Sequence, residues 1–259
     1  MSLRLVNLVK LADRGLIRCR RRFSVAPTVL EADASFVDTR FAPSDFTPDV
    51  SVVYPNVLTE DEANLILDDV KGRLRRRRYE KGHWDAVITN YKEVELSDLN
   101  FENPEIPNIF RRIRQQLATN HLLKDGKDEN RTIEWLPCHA IDLKKEGELN
   151  AHVDSVKFSG DLVAGVSLMS SSIMRLIPHM DGEGGNVNEE STVEGENKGW
   201  VDLYLPPLSL YALTGVGRYR YAHELLPTNS TFTQPDGTEI LAERDHRISI
   251  IFRDAKEQA

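Results

Sequence analysis

His152 and Asp154 stand two apart in the run Ala-His-Val-Asp-Ser-Val-Lys-Phe at 151–158. On an extended strand both side chains point the same way, because successive residues alternate faces. An imidazole and a carboxylate aimed into one cavity supply two of the three ligands of a 2-His-1-carboxylate facial triad. That triad is the usual holder of non-heme Fe(II), and it leaves three positions open for a co-substrate and dioxygen. The pair alone is a weak signal. Seven His and 41 Asp and Glu in 259 residues make such a spacing common by chance, most often as a solvated loop His beside an Asp.

A third ligand is available further on. Tyr219-Arg220-Tyr221-Ala222-His223-Glu224 reads as a short strand after the turn Gly215-Val216-Gly217, whose glycines let the chain pass close to a site. His223 is the candidate partner of His152 and Asp154; alone it would be a packed strand-end His. Mn, Co or Zn would suit the same ligands as well as Fe(II). Then comes Arg247-Ile248-Ser249-Ile250-Ile251-Phe252-Arg253. Period two puts Arg247, Ser249, Ile251 and Arg253 on one face and the apolar residues 248, 250 and 252 on the other. An inward guanidinium is tolerated where it meets an anion, and its planar fork matches a carboxylate. A small dicarboxylate with one end on the metal would place the other on Arg247, helped by the Ser249 hydroxyl. The plain alternative is an edge strand with its Arg face in water.

Strands must hold these groups, and the second half of the chain offers them. Past a charged turn at 124–130, short extended runs occur at 133–136, 140–143, 162–168, 173–177, 201–205, 209–213, 219–223 and 247–252. Turn signals such as Gly147 and Pro206-Pro207 separate them. Thr59-x-x-Glu62 is a capping box, and Ala63, Ile66, Leu67, Val70 and Leu74 follow at helical spacing. A second helix is expected from Pro107 at its first position, with Ile106, Ile109, Phe110, Ile113 and Leu117 as its buried stripe. The fold class is therefore α+β, mainly β: a double-sheet jelly roll with N-terminal helices buttressing one face. The Gly-, Glu- and Asn-rich stretch 181–199 reads as a loop between strands, acidic but without the alternation of an EF-hand.

The first helix runs into Arg73, Arg75, Arg76, Arg77, Arg78 and Tyr79, then His83 and Trp84. Cations complement a helix C-terminus, so a solvated helix end is the simple reading. The run holds more arginines than the dipole needs, and a phosphate- or partner-binding patch is the functional reading. Residues 1–23 carry Arg4, Lys10, Arg14, Arg18, Arg20, Arg21 and Arg22 against one acid, Asp13, with leucines interleaved. That is the composition of a mitochondrial transit peptide, and Arg21-Arg22-Phe23-Ser24 looks like a processing site cut after Phe23. Residues 24–50, rich in Pro, Ser, Thr, Asp and Ala, read as linker or loosely ordered wrapping, leaving 51–255 as the domain.

Composition narrows the classes. A net charge of −8 argues against a general nucleic-acid coat. Two cysteines, Cys19 and Cys138, cannot form a disulfide framework, which points to a reducing compartment. No apolar run approaches the ~18 residues of a membrane span, so a soluble protein is expected.

The constellation His152-x-Asp154, His223, Arg247-x-Ser249-x-x-x-Arg253 resembles the AlkB family of Fe(II)/2-oxoglutarate dioxygenases. The runs at 74–79, 83–86, 152–158 and 174–176 and Ser209-Leu210-Tyr211 are similar to a mitochondrial branch of it. The resemblance covers roughly residues 55–253. It implies a double-stranded β-helix, iron on His152, Asp154 and His223, and 2-oxoglutarate held by Tyr211, Arg247, Ser249 and Arg253. It also implies a mitochondrial matrix enzyme using Fe(II), 2-oxoglutarate and dioxygen, and a link to fatty-acid metabolism and programmed necrosis. Nucleic-acid-repairing members carry an Asn and a Tyr on the strand before His-x-Asp; here that strand reads Cys138-His139-Ala140-Ile141-Asp142-Leu143. No aromatic and basic lid for base flipping is evident either. The substrate expected is thus a protein side chain. The alternatives are a mitochondrial tRNA demethylase holding RNA through Arg75, Arg76, Arg77 and Arg78, and a low-turnover 2-oxoglutarate-binding sensor or scaffold.

Overall fold

The computed structural model describes residues 29–82, 87–123, 132–179, 185–186 and 199–256. The expected transit peptide, His83 and Trp84, the charged turn at 124–130 and most of the acidic stretch 181–199 lie outside the described residues.

Two six-stranded sheets face each other. The first runs β2 (Ser51–Tyr54), β10 (Leu210–Thr214), β6 (Ser159–Met169), β14 (Arg247–Ala255), β4 (Cys138–Leu143) and β3 (Tyr91–Leu96). The second runs β1 (Val37–Asp38), β9 (Val201–Leu205), β7 (Ser172–Pro178), β11 (Tyr221–Leu225), β5 (His152–Val153) and β8 (Gly185–Asn186). Every pairing is antiparallel. A separate hairpin joins β12 (Ser230–Thr233) to β13 (Glu239–Ala242). Mainly β, with two helices outside one sheet, this is the expected jelly roll.

The outer face of the first sheet carries the helices α1 (Glu60–Leu74) and α2 (Glu105–Leu117). Thr59 and Glu62 close the capping box at 3.0 and 3.1 Å, satisfying two N–H groups that the first turn leaves unpaired. Ile66, Val70 and Leu74 of α1 and Ile106, Phe110, Ile113 and Leu117 of α2 pack on Ile248, Ile250 and Phe252 of β14. Each large side chain buried there is worth about 1.5–3 kcal/mol. Phe110 meets Phe252 edge-on at 5.3 Å, a favoured aromatic geometry. The other residues of β14 point between the sheets, as period two demands.

The structure corrects several expectations. Helix α2 starts two residues before Pro107, which is its third residue; a proline is accommodated there because first-turn N–H groups have no intrahelical acceptor. The run 133–136 is no strand and makes only an isolated bridge from Trp135 to Asp254. Residues 215–219 form a short helix, α3 (Gly215–Tyr219), so the strand bearing His223 begins at Tyr221. From 29 onward the expected loose wrapping is part of the fold. Leu30, Phe46 and Val50 are buried, and β1 pairs with β9.

Candidate functional site

Strands β5 and β11 pair so that His152 and His223 lie directly across from each other. Opposed residues of an antiparallel pair bring their Cβ atoms to about 5 Å, and here the ring centroids are 4.2 Å apart. The chain leaves β5 after Val153 and turns Asp154 to the same side. Asp154 Oδ1 is 3.5 Å from His152 Nε2 and 4.0 Å from His223 Nε2. One ligand atom from each residue lies within 4.8 Å of the other two. Sequence spacing alone brings His152 and Asp154 together; the β5–β11 register supplies His223.

The donor set suits a cation. His152 Nδ1 is 2.8 Å from the Asn150 carbonyl, which can only accept, so Nδ1 carries a proton and Nε2 faces Asp154. Burial, then the neighbouring His152, pushes His223 down to about 3, so it is neutral at physiological pH. Burial alone would raise the Asp154 carboxyl. Contact with His152 and the charge of Arg253 outweigh it and hold the group well below the usual carboxylate range. Two imidazoles and a carboxylate converging on one point are what a divalent metal needs.

The same cleft contains all the other expected residues. Tyr211, Arg247, Ser249 and Arg253 line it together with the triad, and it encloses about 540 Å³ counted out to its open mouth. Arg247 is 4% exposed, and its Nε has no hydrogen-bond partner among the described residues. Burial lowers its guanidinium to about 10, still charged at neutral pH; Tyr211 opposes that shift and Arg244 adds to it. A buried cation faced by a phenol and a second arginine calls for an anionic ligand. Burial, reinforced by Asp154, raises the Tyr211 hydroxyl, so it remains a donor. Its ring lies over Gly165, where a Cβ would come within 2.5 Å of Cε1. Arg253 stands at the other end of the cleft, with Nη1 3.6 Å from Asp154 Oδ2.

Sequence reasoning missed the apolar walls Ile88, Leu149, Met174 and Leu225, which come from separate elements with no shared spacing. It also missed Asn150 and Gly165, whose roles rest on a carbonyl and an absent side chain. Arg75 to Arg78 are all exposed beyond α1 and do not line the cleft; Arg77 donates to the Glu93 carbonyl at 2.9 Å.

No protein-family model matches the chain. A mouse protein named α-ketoglutarate-dependent dioxygenase alkB homolog 7, mitochondrial, is 35% identical over 209 residues, covering 81% of this chain and 80% of the relative. The bovine protein of the same name is 34% identical over 210 residues with the same coverage. Among solved structures, OsALKBH1 covers 81% of this chain and 100% of its own, with a TM-score of 0.50 and 16% identity. A prolyl hydroxylase from Trichoplax adhaerens, solved with a hypoxia inducible factor peptide fragment, covers 81% and 84% with a TM-score of 0.50 and 11% identity. At such identities these two structures speak to the fold.

Proposed function

The chain belongs to the alkB homolog 7 family of α-ketoglutarate-dependent dioxygenases, and from that premise we propose that it is a mitochondrial matrix enzyme that hydroxylates a protein side chain. Its cofactors are Fe(II), 2-oxoglutarate and dioxygen. When bound, iron and 2-oxoglutarate supply with dioxygen the oxidising chemistry that hydroxylates a C–H bond, releasing succinate and CO₂.

The chain's own residues hold and orient. His152, Asp154 and His223 are the metal ligands, with Asn150 fixing the His152 tautomer. Arg247 takes the far carboxylate of 2-oxoglutarate, joined by the Ser249 and Tyr211 hydroxyls. Arg253, beside Asp154, serves the end of the co-substrate nearest the metal. Ile88, Leu149, Met174 and Leu225 keep the walls dry, which strengthens each of these charge contacts. Residues 1–23 act as the transit peptide, cleaved after Phe23, and the dioxygenase domain takes in the strap 29–50 together with residues 51–255. The link to fatty-acid metabolism and programmed necrosis belongs to the same reading and rests on resemblance.

The observation that carries the reading is the convergence of the His152-Asp154-His223 triad and an anion-seeking Arg247 in one cleft. A protein substrate is favoured by the rim. Glu93 and Glu95 on the edge strand β3 stand in register with Ile141 and His139, and Ile141 lines the cleft. Directly paired residues share a face, so phosphate approaching along this edge meets carboxylates. The exposed Arg75 to Arg78 run favours a second reading, RNA demethylation. The test is succinate formation by protein reconstituted with Fe(II) and 2-oxoglutarate, with mitochondrial extract as prime substrate. Stimulation that survives RNase and is lost on protease treatment supports protein hydroxylation; the opposite pattern supports RNA. 2-Oxoglutarate binding without succinate under any extract would leave the sensor reading.

A further inference from the structure

Arg218 is 2% exposed, yet among the described residues it forms no ion pair with a carboxylate. Its guanidinium fork is spent on the chain that leaves the metal site. Nη1 donates to the Asp154 carbonyl at 3.0 Å, and Nη2 donates to the Ser155 carbonyl and the Ser159 hydroxyl at 3.2 Å each. A buried charge used to hold two successive main-chain carbonyls is a costly way to secure an ordinary turn. The first of those carbonyls belongs to Asp154.

The position of Arg218 is itself fixed. It lies on α3, which connects β10, carrying Tyr211, to β11, carrying His223. Gly215 turns the chain into this helix at φ +49°. Gly217 lets the helix press on the main chain before β2, since a Cβ there would lie 2.5 Å from the Val50 carbonyl oxygen. Five residues after Arg218, the same segment delivers His223. One rigid connection therefore sets both an imidazole and the backbone of the carboxylate opposite it.

We propose that Arg218 is a positioning residue for Asp154, fixing the peptide unit after it so that one carboxylate oxygen faces both imidazoles and the other faces Arg253. Among the described residues no strand pairs with Asp154, and Arg218 supplies support there. This inference rests on the assignment of Asp154 as a metal ligand. Tyr219, the next residue on α3, braces the same segment further along, donating to the Gly160 carbonyl at 3.0 Å and Asp161 Oδ1 at 2.9 Å. It provides the control for mere stiffness.

The test is the affinity of the metal-free full chain for Co(II), read by competition with a chelating dye and by the visible band of the bound ion. Groups supporting metal ligands typically contribute about 10–100-fold in affinity. Arg218→Met, which keeps the stem and removes the donors, should weaken Co(II) binding by about that factor and alter the band. Arg218→Lys should recover part of it, because an ammonium reaches one carbonyl but cannot span both. Tyr219→Phe should lower the melting temperature and leave Co(II) affinity within about twofold. A folded Arg218→Met with wild-type affinity would overturn the proposal. Should that variant not fold, Arg218→Lys decides alone: about five- to tenfold weaker binding supports the proposal, and unchanged binding ends it. Asp154→Ala separates the two levels. If it too binds Co(II) normally, the metal-site assignment fails; if it loses binding while Arg218→Met does not, only the positioning role fails.

Discussion

His152 and His223 occupy one rung of the β5–β11 ladder, their rings 4.2 Å apart and inclined by 50°. The rung fixes the spacing of the two imidazoles of the proposed metal site by backbone hydrogen bonding rather than by loop conformation, and only Asp154 depends on chain beyond a strand. An apo site of this kind holds its imidazoles apart with little freedom to collapse. Metal binding should then stabilise the fold instead of creating it.

The first prediction follows. Fe(II) or Co(II) at about a hundred times its dissociation constant should add about 2.7 kcal/mol to wild-type stability. In the double variant His152→Ala, Asp154→Ala the metal-induced rise in melting temperature should vanish, and oxygen-dependent succinate should fall to background. Calorimetry with and without metal checks the first part; retention of turnover by the double variant would remove the whole site assignment.

The β14 strand shows how much of this could be read from sequence. Its alternation was visible because one face packs on helices and the other lines a cleft, so each residue type reports its side. The His-x-Asp pair was visible through its spacing, although Asp154 lies just past the end of β5. Arg218 left no such signal. Its partners are two carbonyls 63 and 64 residues away and one hydroxyl 59 away, and main-chain acceptors carry no residue type. Strand β3 was missed because Lys92, Glu93 and Glu95 occupy both faces of an edge strand, giving no contrast in polarity. β1 is two residues long, too short for any period to register.

Arg247 yields a prediction with opposite signs in two states. Arg247→Met should raise the KM for 2-oxoglutarate by about 10–100-fold, a loss of roughly 1.4–2.8 kcal/mol, while Co(II) affinity is unchanged. The ligand-free variant should be at least as stable as wild type, because replacing an uncompensated buried cation with an apolar chain of similar length removes its desolvation penalty. Thermal melts with and without 2-oxoglutarate read both effects; a lower ligand-free melting temperature would mean that Arg247 has a structural partner.

The strap onto the second sheet is pH-sensitive with a defined sign. Asp38 faces Asp202 across β1–β9, and each carboxylate is held by its own arginine, Arg40 and Arg175, at 2.8 Å. Burial acts to raise the Asp38 carboxyl, but the hydrogen bonds and charge of Arg40, with Arg175, lower it overall. A depressed carboxylate contributes stability that is present above its unfolded value of about 3.9 and lost as pH falls through the folded value. Wild-type melting temperature should therefore fall more steeply below pH 4 than that of Asp38→Asn. Parallel melts of the two proteins from pH 5 to 3 test this; coincident slopes would mean the pair is solvent-screened.

Phe252 links the helices to the site. It is fully buried against Phe110, while its neighbours Ile251 and Arg253 line the cleft. Phe252→Ala should destabilise by about 3–5 kcal/mol, since helices pinned on both sides collapse incompletely into the space left. For a domain of this size that corresponds to a fall of very roughly 6–20 °C in melting temperature. A smaller loss would show that α2 settles onto the sheet.

The arginine run separates the two substrate readings. Arg75, Arg76 and Arg78 are exposed beyond α1, whereas Arg77 is engaged with the Glu93 carbonyl. The triple variant Arg75→Gln, Arg76→Gln, Arg78→Gln should melt within about 0.5 kcal/mol of wild type, as surface changes usually do. Its Co(II) and 2-oxoglutarate affinities should be unchanged, because none of the three lines the cleft. Each cation that neutralises a phosphate contributes about 0.7 to the slope of log affinity against log salt for a single strand. An RNA held by these three would lose a slope of about 2 in the variant. Extract-stimulated succinate formation that keeps its salt dependence in the variant excludes this patch as the substrate's anchor. A slope reduced by that amount would instead make the run the RNA-holding surface and set aside the carboxylate rim of β3.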